Sequence, residues 1–203
     1  MKKLKEGFYQ RSDTLTIARE LLGKILVTNW PEGLTSGRIV ETEAYLGAID
    51  KASHAYGNRL TNRTKVMFQP GGVAYIYLCY GIHNLFNIVT GIDDTPHVVL
   101  VRALEPVQGL DIMRKRTGIL KADNRLAAGP GKLSKALGLT TMHSGYALTG
   151  EEIFLIDDGA RISEHEILSG QRIGVDYAGE DALLPYRFTI SGHPSVSVKQ
   201  RIL

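Results

Sequence analysis

Apolar and polar positions along the chain alternate with two different periods. In "SDTLTIARELLGK" (12–24), Leu15, Ala18, Leu21 and Leu22 recur near helical spacing behind Ser12 or Asp13 as an N-cap, and Gly23 ends the run. This predicts a helix. "KILVTNW" (24–30) and "SGRIVETEAY" (36–45) read as strands joined by the turn-like "PEGLT". "VAYIYLCY", "GIHN" and "LFNIV" (73–89) predict two strands about a tight connection, and "HVVLVRALEP" (97–106) a further strand closed by Pro106. "VQGLDIMRKRTG" and "GPGKLSKALGL" are helical by pattern, while "EIFLID", "QRIGVDY" and "YRFTISG" return to strand. Residues 46–72 have no period and contain Gly47, Gly57, Asn58, Asn62, Pro70 and Gly71–Gly72. So long an irregular stretch in a compact domain is usually functional. Strands and helices in this irregular order favour an α+β fold, a mixed α/β roll on an antiparallel sheet, over a doubly wound sheet.

Composition narrows the class. The 203 residues are 43% hydrophobic and 22% charged, which suits one globular domain over residues 1–203 with no linker dividing it. The one cysteine, Cys79, has no partner for a disulfide or a zinc ribbon; its apolar surroundings suggest a buried thiol in a reducing, cytoplasmic compartment. "MKKLKEGFYQ" lacks the apolar core of an export signal, and no long uncharged apolar run suggests membrane insertion. A net charge of +3 permits a polyanionic partner without requiring one.

The chemistry centres on "VETEAYLG" (40–47). In a regular strand Ile39, Glu41, Glu43 and Tyr45 share one face, opposite Val40, Thr42 and Ala44. A solvated strand edge would explain the acids. The aromatic neighbour Tyr45, the long loop that follows and His54 within it point instead to a site. There a carboxylate shielded from water and steadied by a cation could serve as a general base. Arg102, the one cation inside "HVVLVRALEP", is expected to meet an acid, as a structural ion pair or as part of that site. One rival reading is a carbohydrate hydrolase working with the Glu41 and Glu43 pair; another, a noncatalytic module that bends DNA, would use the aromatic tip and basic loop that follow. The six histidines form no close ligand pair, so no metal is expected.

Tyr75, Tyr77 and Cys79 alternate with Ile76, Leu78 and Tyr80, and Gly81 allows a turn that exposes Tyr80 at a hairpin tip. An exposed aromatic on a rigid tip suits a wedge between bases. Arg59, Arg63 and Lys65 in the long loop, with Lys132 and Lys135 by the "GPGK" helix, could hold phosphates. "GPGKLS" fails the spacing of a nucleotide-binding P-loop.

"GRIVETEAYLG", His54, "NRTKVMF", "VAYIYLCYG", "FNIV" and "VLVRALEP", in this order, closely resemble the alkyladenine (3-methyladenine) DNA glycosylases. The similarity runs from "ARELLGKILV" through "GPGKLSKALG" and "RIGV" to "YRFTISGHPSVSV", nearly the whole chain. The resemblance implies a mixed α/β domain on an antiparallel sheet with a protruding β-hairpin, acting as a monomer on duplex DNA containing damaged purines, without metal or organic cofactor. Glu43 matches the family's water-activating general base, Arg102 the arginine that positions it, and Ile173 the residue whose backbone carbonyl also holds the water. Tyr45, His54 and Tyr77 match the walls of the base pocket, Asn87 the asparagine that helps exclude guanine, and Tyr80 the side chain inserted where the extruded nucleotide was. Glu41 is left with a structural role.

Overall fold

The computed structural model describes residues 1–120 and 123–199. In chain order its elements are β1 (Lys2–Lys3), α1 (Glu6–Tyr9), α2 (Thr14–Glu20), β2 (Ile25–Trp30), β3 (Gly33–Tyr45), β4 (Ala74–Cys79), β5 (His83–Thr90) and β6 (His97–Gln108). There follow α3 (Leu110–Thr117), α4 (Pro130–Leu137), β7 (Ile153–Asp157), β8 (Ile167–Gly170) and β9 (Arg187–Ile190). The nine strands among the described residues form one sheet, ordered β1-β7-β2-β3-β6-β5-β4, with β9 on β3 and β8 on β9. Every pairing is antiparallel. The α+β class expected from the sequence is the one observed.

β3 organises the sheet. One of its edges pairs with β6 along most of its length; the other takes β2 against residues 33–38 and then β9 against Glu41, Thr42 and Glu43. The two acids therefore sit mid-sheet with strands on both sides, and both are fully buried. A solvated edge is ruled out.

Helices cover one face. Asp13 caps α2 by accepting the Thr16 N–H at 3.0 Å, and Ile17 and Ala18 turn inward onto β3, where the Thr42 hydroxyl donates to the Ala18 carbonyl at 2.9 Å. α4 starts on Pro130, whose missing N–H is no loss in a first turn, and ends at Gly138 in the left-handed region. Its Leu133, Ala136 and Leu137 join Ile76, Phe86, Ile88, Val99 and Val101 in the main core. The alternation of these strands sends Tyr75, Tyr77, Asn87, Leu100 and Arg102 to the opposite face. The sheet thus separates a greasy, helix-covered side from the side that carries the chemistry.

Several sequence expectations need correction. Ile39 does not share the face of Glu41 and Glu43: the β3–β6 register slips on either side of Glu41, and the bulge turns Ile39 and its partner Leu104 into the helix-covered core with Ala44. Pro106 does not close its strand; β6 continues to Gln108 because the proline lies at a second irregularity, opposite Gly37, where the ladder asks less of it. "QRIGVDY" is not a strand: residues 171–175 are irregular, Asp176 opens a 3-10 helix, and the nearby strand is the preceding Ile167–Gly170. The first hairpin turns on Pro31–Glu32 alone, with "GLT" already in β3. Cys79 is half-exposed rather than buried. Residues 46–72 hold only short 3-10 turns, at Gly47–Ile49, Tyr56–Asn58 and Lys65–Phe68. No helix among the described residues is long and apolar enough to cross a membrane.

Gly109, between β6 and α3, has φ +78°, and a Cβ there would stand 2.4 Å from the Leu34 carbonyl oxygen. Gly109→Ala is expected to destabilise the protein by about 1–3 kcal/mol, read as a lower urea midpoint at unchanged slope.

Candidate active site

The face away from the helices carries a cavity of about 500 Å³. Tyr45, His54, Tyr75, Tyr77, Asn87 and Arg102 line its walls and floor, and Lys132 and Ile173 stand at its margin. Strands supply five of the first six, which fixes their spacing; His54 comes from the irregular segment after β3.

Glu43 lies immediately behind this lining. Its Oε1 accepts the Ile173 backbone N–H at 2.8 Å, and its Oε2 accepts the Tyr45 hydroxyl at 2.8 Å and Arg102 Nη1 at 3.3 Å. Three donors thus converge on a fully buried carboxyl group. The three groups that bind it also line the cavity. Ile173 thus reaches Glu43 through its N–H, a contact the sequence did not suggest.

Glu41 is a different acid. Its Oε1 accepts Arg102 Nε at 2.9 Å and Arg187 Nε at 2.7 Å, and its Oε2 accepts the Ser197 backbone N–H at 2.7 Å. Burial alone would push its carboxyl up, but the Arg102 and Arg187 charges and the Ser197 N–H outweigh burial and hold it below the usual carboxylate range. It is locked between guanidinium groups and absent from the cavity wall. The two acids do not form the exposed acid and base pair of a sugar hydrolase.

The rings in the walls are uncharged. His54 accepts from or donates to the Tyr75 hydroxyl through Nδ1 at 2.8 Å and meets the Tyr77 ring edge-on, with centroids 4.5 Å apart. Burial, and after it the Arg63 and Arg59 charges, push His54 down to about 4, so the imidazole is neutral near pH 7. Burial also raises Tyr75 and Tyr77, and burial with the Glu43 charge raises Tyr45 well above the usual phenol range. All three stay protonated. Asn87 is buried, and its amide nitrogen donates to the carbonyls of Tyr75 at 3.1 Å and Leu85 at 3.2 Å, leaving the amide oxygen as the group it can offer the cavity.

The β4–β5 hairpin ends beside this opening. Tyr80 has φ +50° and Gly81 φ +71°, two successive left-handed positions that close the turn, with the Ile82 N–H donating to the Cys79 carbonyl at 3.1 Å. The Tyr80 side chain is 88% exposed on that tip, as expected from the sequence. Arg59, Arg63, Lys65 and Lys132 are all exposed, and none has a carboxylate partner among the described residues. Lys132 borders the cavity; Lys135 instead reaches back to the Thr117 carbonyl. No group of three or more His, Cys, Asp or Glu side chains among the described residues could hold a metal ion.

Sequence reasoning overlooked Asp50, Arg172, Arg187 and Ser197, each tied to this network from a distant part of the chain. It gave Tyr75 no role, whereas its hydroxyl holds His54. The one available signal was Arg172 inside the quoted "QRIGV".

The sequence pattern of the methylpurine-DNA glycosylase family matches residues 7–194. A Chlamydia abortus protein named "Putative 3-methyladenine DNA glycosylase" is 46% identical over 188 residues, 92% of this chain and 97% of that protein. Proteins of the same name from Alkaliphilus oremlandii and Bacillus cereus are 43% identical over 204 residues and 46% identical over 201. The former pair covers 97% of this chain and 100% of the relative, the latter 95% and 98%. With likeness sustained from the first helix to the segment beyond the last strand, the chain belongs to the methylpurine-DNA glycosylase family.

Proposed function

We propose that this protein is a monofunctional DNA glycosylase that takes alkylated purines such as 3-methyladenine out of duplex DNA. It hydrolyses their N-glycosidic bond with water activated by Glu43 and leaves an abasic site. The observation that carries the reading is a buried carboxylate with three donors, set directly behind an aromatic cavity that could receive one everted base.

A carboxylate has about four acceptor positions, and three on Glu43 are taken. A water at the cavity floor takes the fourth. As its oxygen bonds to the sugar C1′, its proton passes to Glu43 and the electron pair of the C1′–N bond departs with the purine. Positive charge grows on the deoxyribose during this step, and the same anion stabilises it. Arg102 keeps Glu43 in place, and the backbone of Ile173 fixes the carboxylate and the water beside it. A cationic alkylated purine stacks well on Tyr45 and Tyr77, with neutral His54 at its edge; Asn87 opposes guanine. Unstacking the base costs a few kcal/mol, and Tyr80 filling the gap opposes its return. Arg59, Arg63, Lys65 and Lys132 grip phosphates along the duplex. No amine takes part, so the strand is left uncut, and the protein acts as a monomer.

Glu43→Gln is expected to keep lesion binding and slow base release by about 10²–10⁴-fold, in single-turnover assays on methylated duplex with chelator present. Glu41→Gln should act on stability instead, lowering it by about 3–5 kcal/mol, because buried Arg187 loses its carboxylate partner and Arg102 one of its two. Equal losses of rate per folded molecule in the two variants would defeat the assignment of Glu43 as base.

Tyr80→Ser should reduce the extruded fraction of a fluorescent base by about 10–100-fold while leaving the fold unchanged. An unaltered flipping equilibrium would remove the wedge from the mechanism.

His54 titrates near 6.5 when unfolded and at about 4 when folded, so between these values the unfolded chain binds more protons. Its contribution is complete above about pH 6.5 and declines as pH falls toward 4. Thermal melts of His54→Gln should show a smaller gap between pH 7 and pH 5 than the parent.

A further inference from the structure

Arg172 is fully buried in the segment that follows β8. Its guanidinium grips Asp50 through both terminal nitrogens, with Nη2 donating to Oδ1 at 2.9 Å, and also donates to the carbonyls of Ala44 and Asp181 at 3.0 Å each. Two rings flank the cation, Tyr45 at 4.7 Å and Tyr186 at 5.4 Å. Its Nε is buried without a hydrogen-bond partner among the described residues. Asp50 in turn accepts the backbone N–H groups of Leu46 and Ala52 at 3.0 Å each, which closes the chain on itself just after β3.

These contacts bear on Glu43 from both sides. Ile173, next in sequence to Arg172, supplies the N–H on Oε1, while Tyr45, the ring under the guanidinium, supplies the hydroxyl on Oε2. A buried ion pair is a weak way to stabilise a fold, because desolvation cancels most of its attraction and apolar replacements often do as well. An unsatisfied Nε adds to that cost. What the pair does supply is placement: one rigid fork fixes the Tyr45 ring, the end of β3 and the backbone at position 173. Burial works against the Arg172 charge, but Asp50 outweighs it, with the nearby Tyr45 and Glu43 adding to the effect.

We propose that Arg172, held by Asp50, is a positioning residue that sets the Ile173 N–H and the Tyr45 hydroxyl on the two oxygens of Glu43. The inference rests on Glu43 being the general base. Arg172 does not line the cavity and touches no substrate; it acts through the two donors. Charge and shape both matter, so lysine is a poor substitute for the fork.

The test compares Asp50→Asn, Arg172→Lys and Glu43→Gln in the full chain, using single-turnover base release, affinity for methylated duplex, and the amide resonance of Ile173. Asp50→Asn and Arg172→Lys should slow release by about 10–100-fold, as losses of groups behind a reacting centre commonly do, while affinity changes far less. Both should move the Ile173 amide proton from its position in the parent, as Glu43→Gln does. Tyr186→Leu loosens the guanidinium from its outer side while keeping both charges, and it supplies the same comparison where the other changes prevent folding. Parental release rates with an unmoved Ile173 resonance in a folded variant would overturn the inference. If Glu43→Gln itself released base at the parental rate, the failure would belong to the proposed base instead.

Discussion

Arg102 is the constraint on which the site depends. It stands at a register slip between β3 and β6, where one guanidinium meets both Glu41 and Glu43. Two carboxylates on neighbouring positions of one buried face repel each other and lose their water, a cost that only close cations can offset. Arg102 between them and Arg187 beyond Glu41 do so. Without the arginine at position 102, Glu43 would lose its cation and Glu41 would keep Arg187 alone.

The division of labour between the acids follows from this network. Each acid accepts three hydrogen bonds, but Glu41 lies between two guanidinium groups away from the cavity and serves as an anchor, whereas Glu43 has one cation and two neutral donors, all three of which line the cavity. Neutral tyrosine and histidine rings make up much of the wall around this pair, and the guanidinium in the lining, Arg102, is already engaged by both acids.

Much of this could be read before any coordinates. Helical spacing and Asp13 gave α2, alternation gave the hairpins, and turn chemistry placed Tyr80 on a tip. The resemblance nominated the cavity residues, and the structure brings Glu43, Tyr45, His54, Tyr77, Asn87, Arg102 and Ile173 together. The main failures depend on partners remote in sequence. A bulge that reverses the facing of Ile39 needs β6 beside it, and Pro106 survives in a strand only because of the irregularity opposite Gly37. Arg172 meets Asp50 across more than a hundred residues, and neither type nor spacing marks the pair in advance. Backbone donors such as those of Ile173 and Ser197 leave no trace in side-chain identity at all.

The contact between Glu41 and the Ser197 N–H bears on how the molecule is made. The Val198 carbonyl is held by Arg187, so this late segment lies across the innermost charges of the sheet. On a ribosome the acids emerge first and wait for well over a hundred further residues before their last neighbours arrive. A nascent chain lacking those residues would hold Glu41 without Arg187 and the Ser197 N–H, so this centre closes only after position 197 has been made.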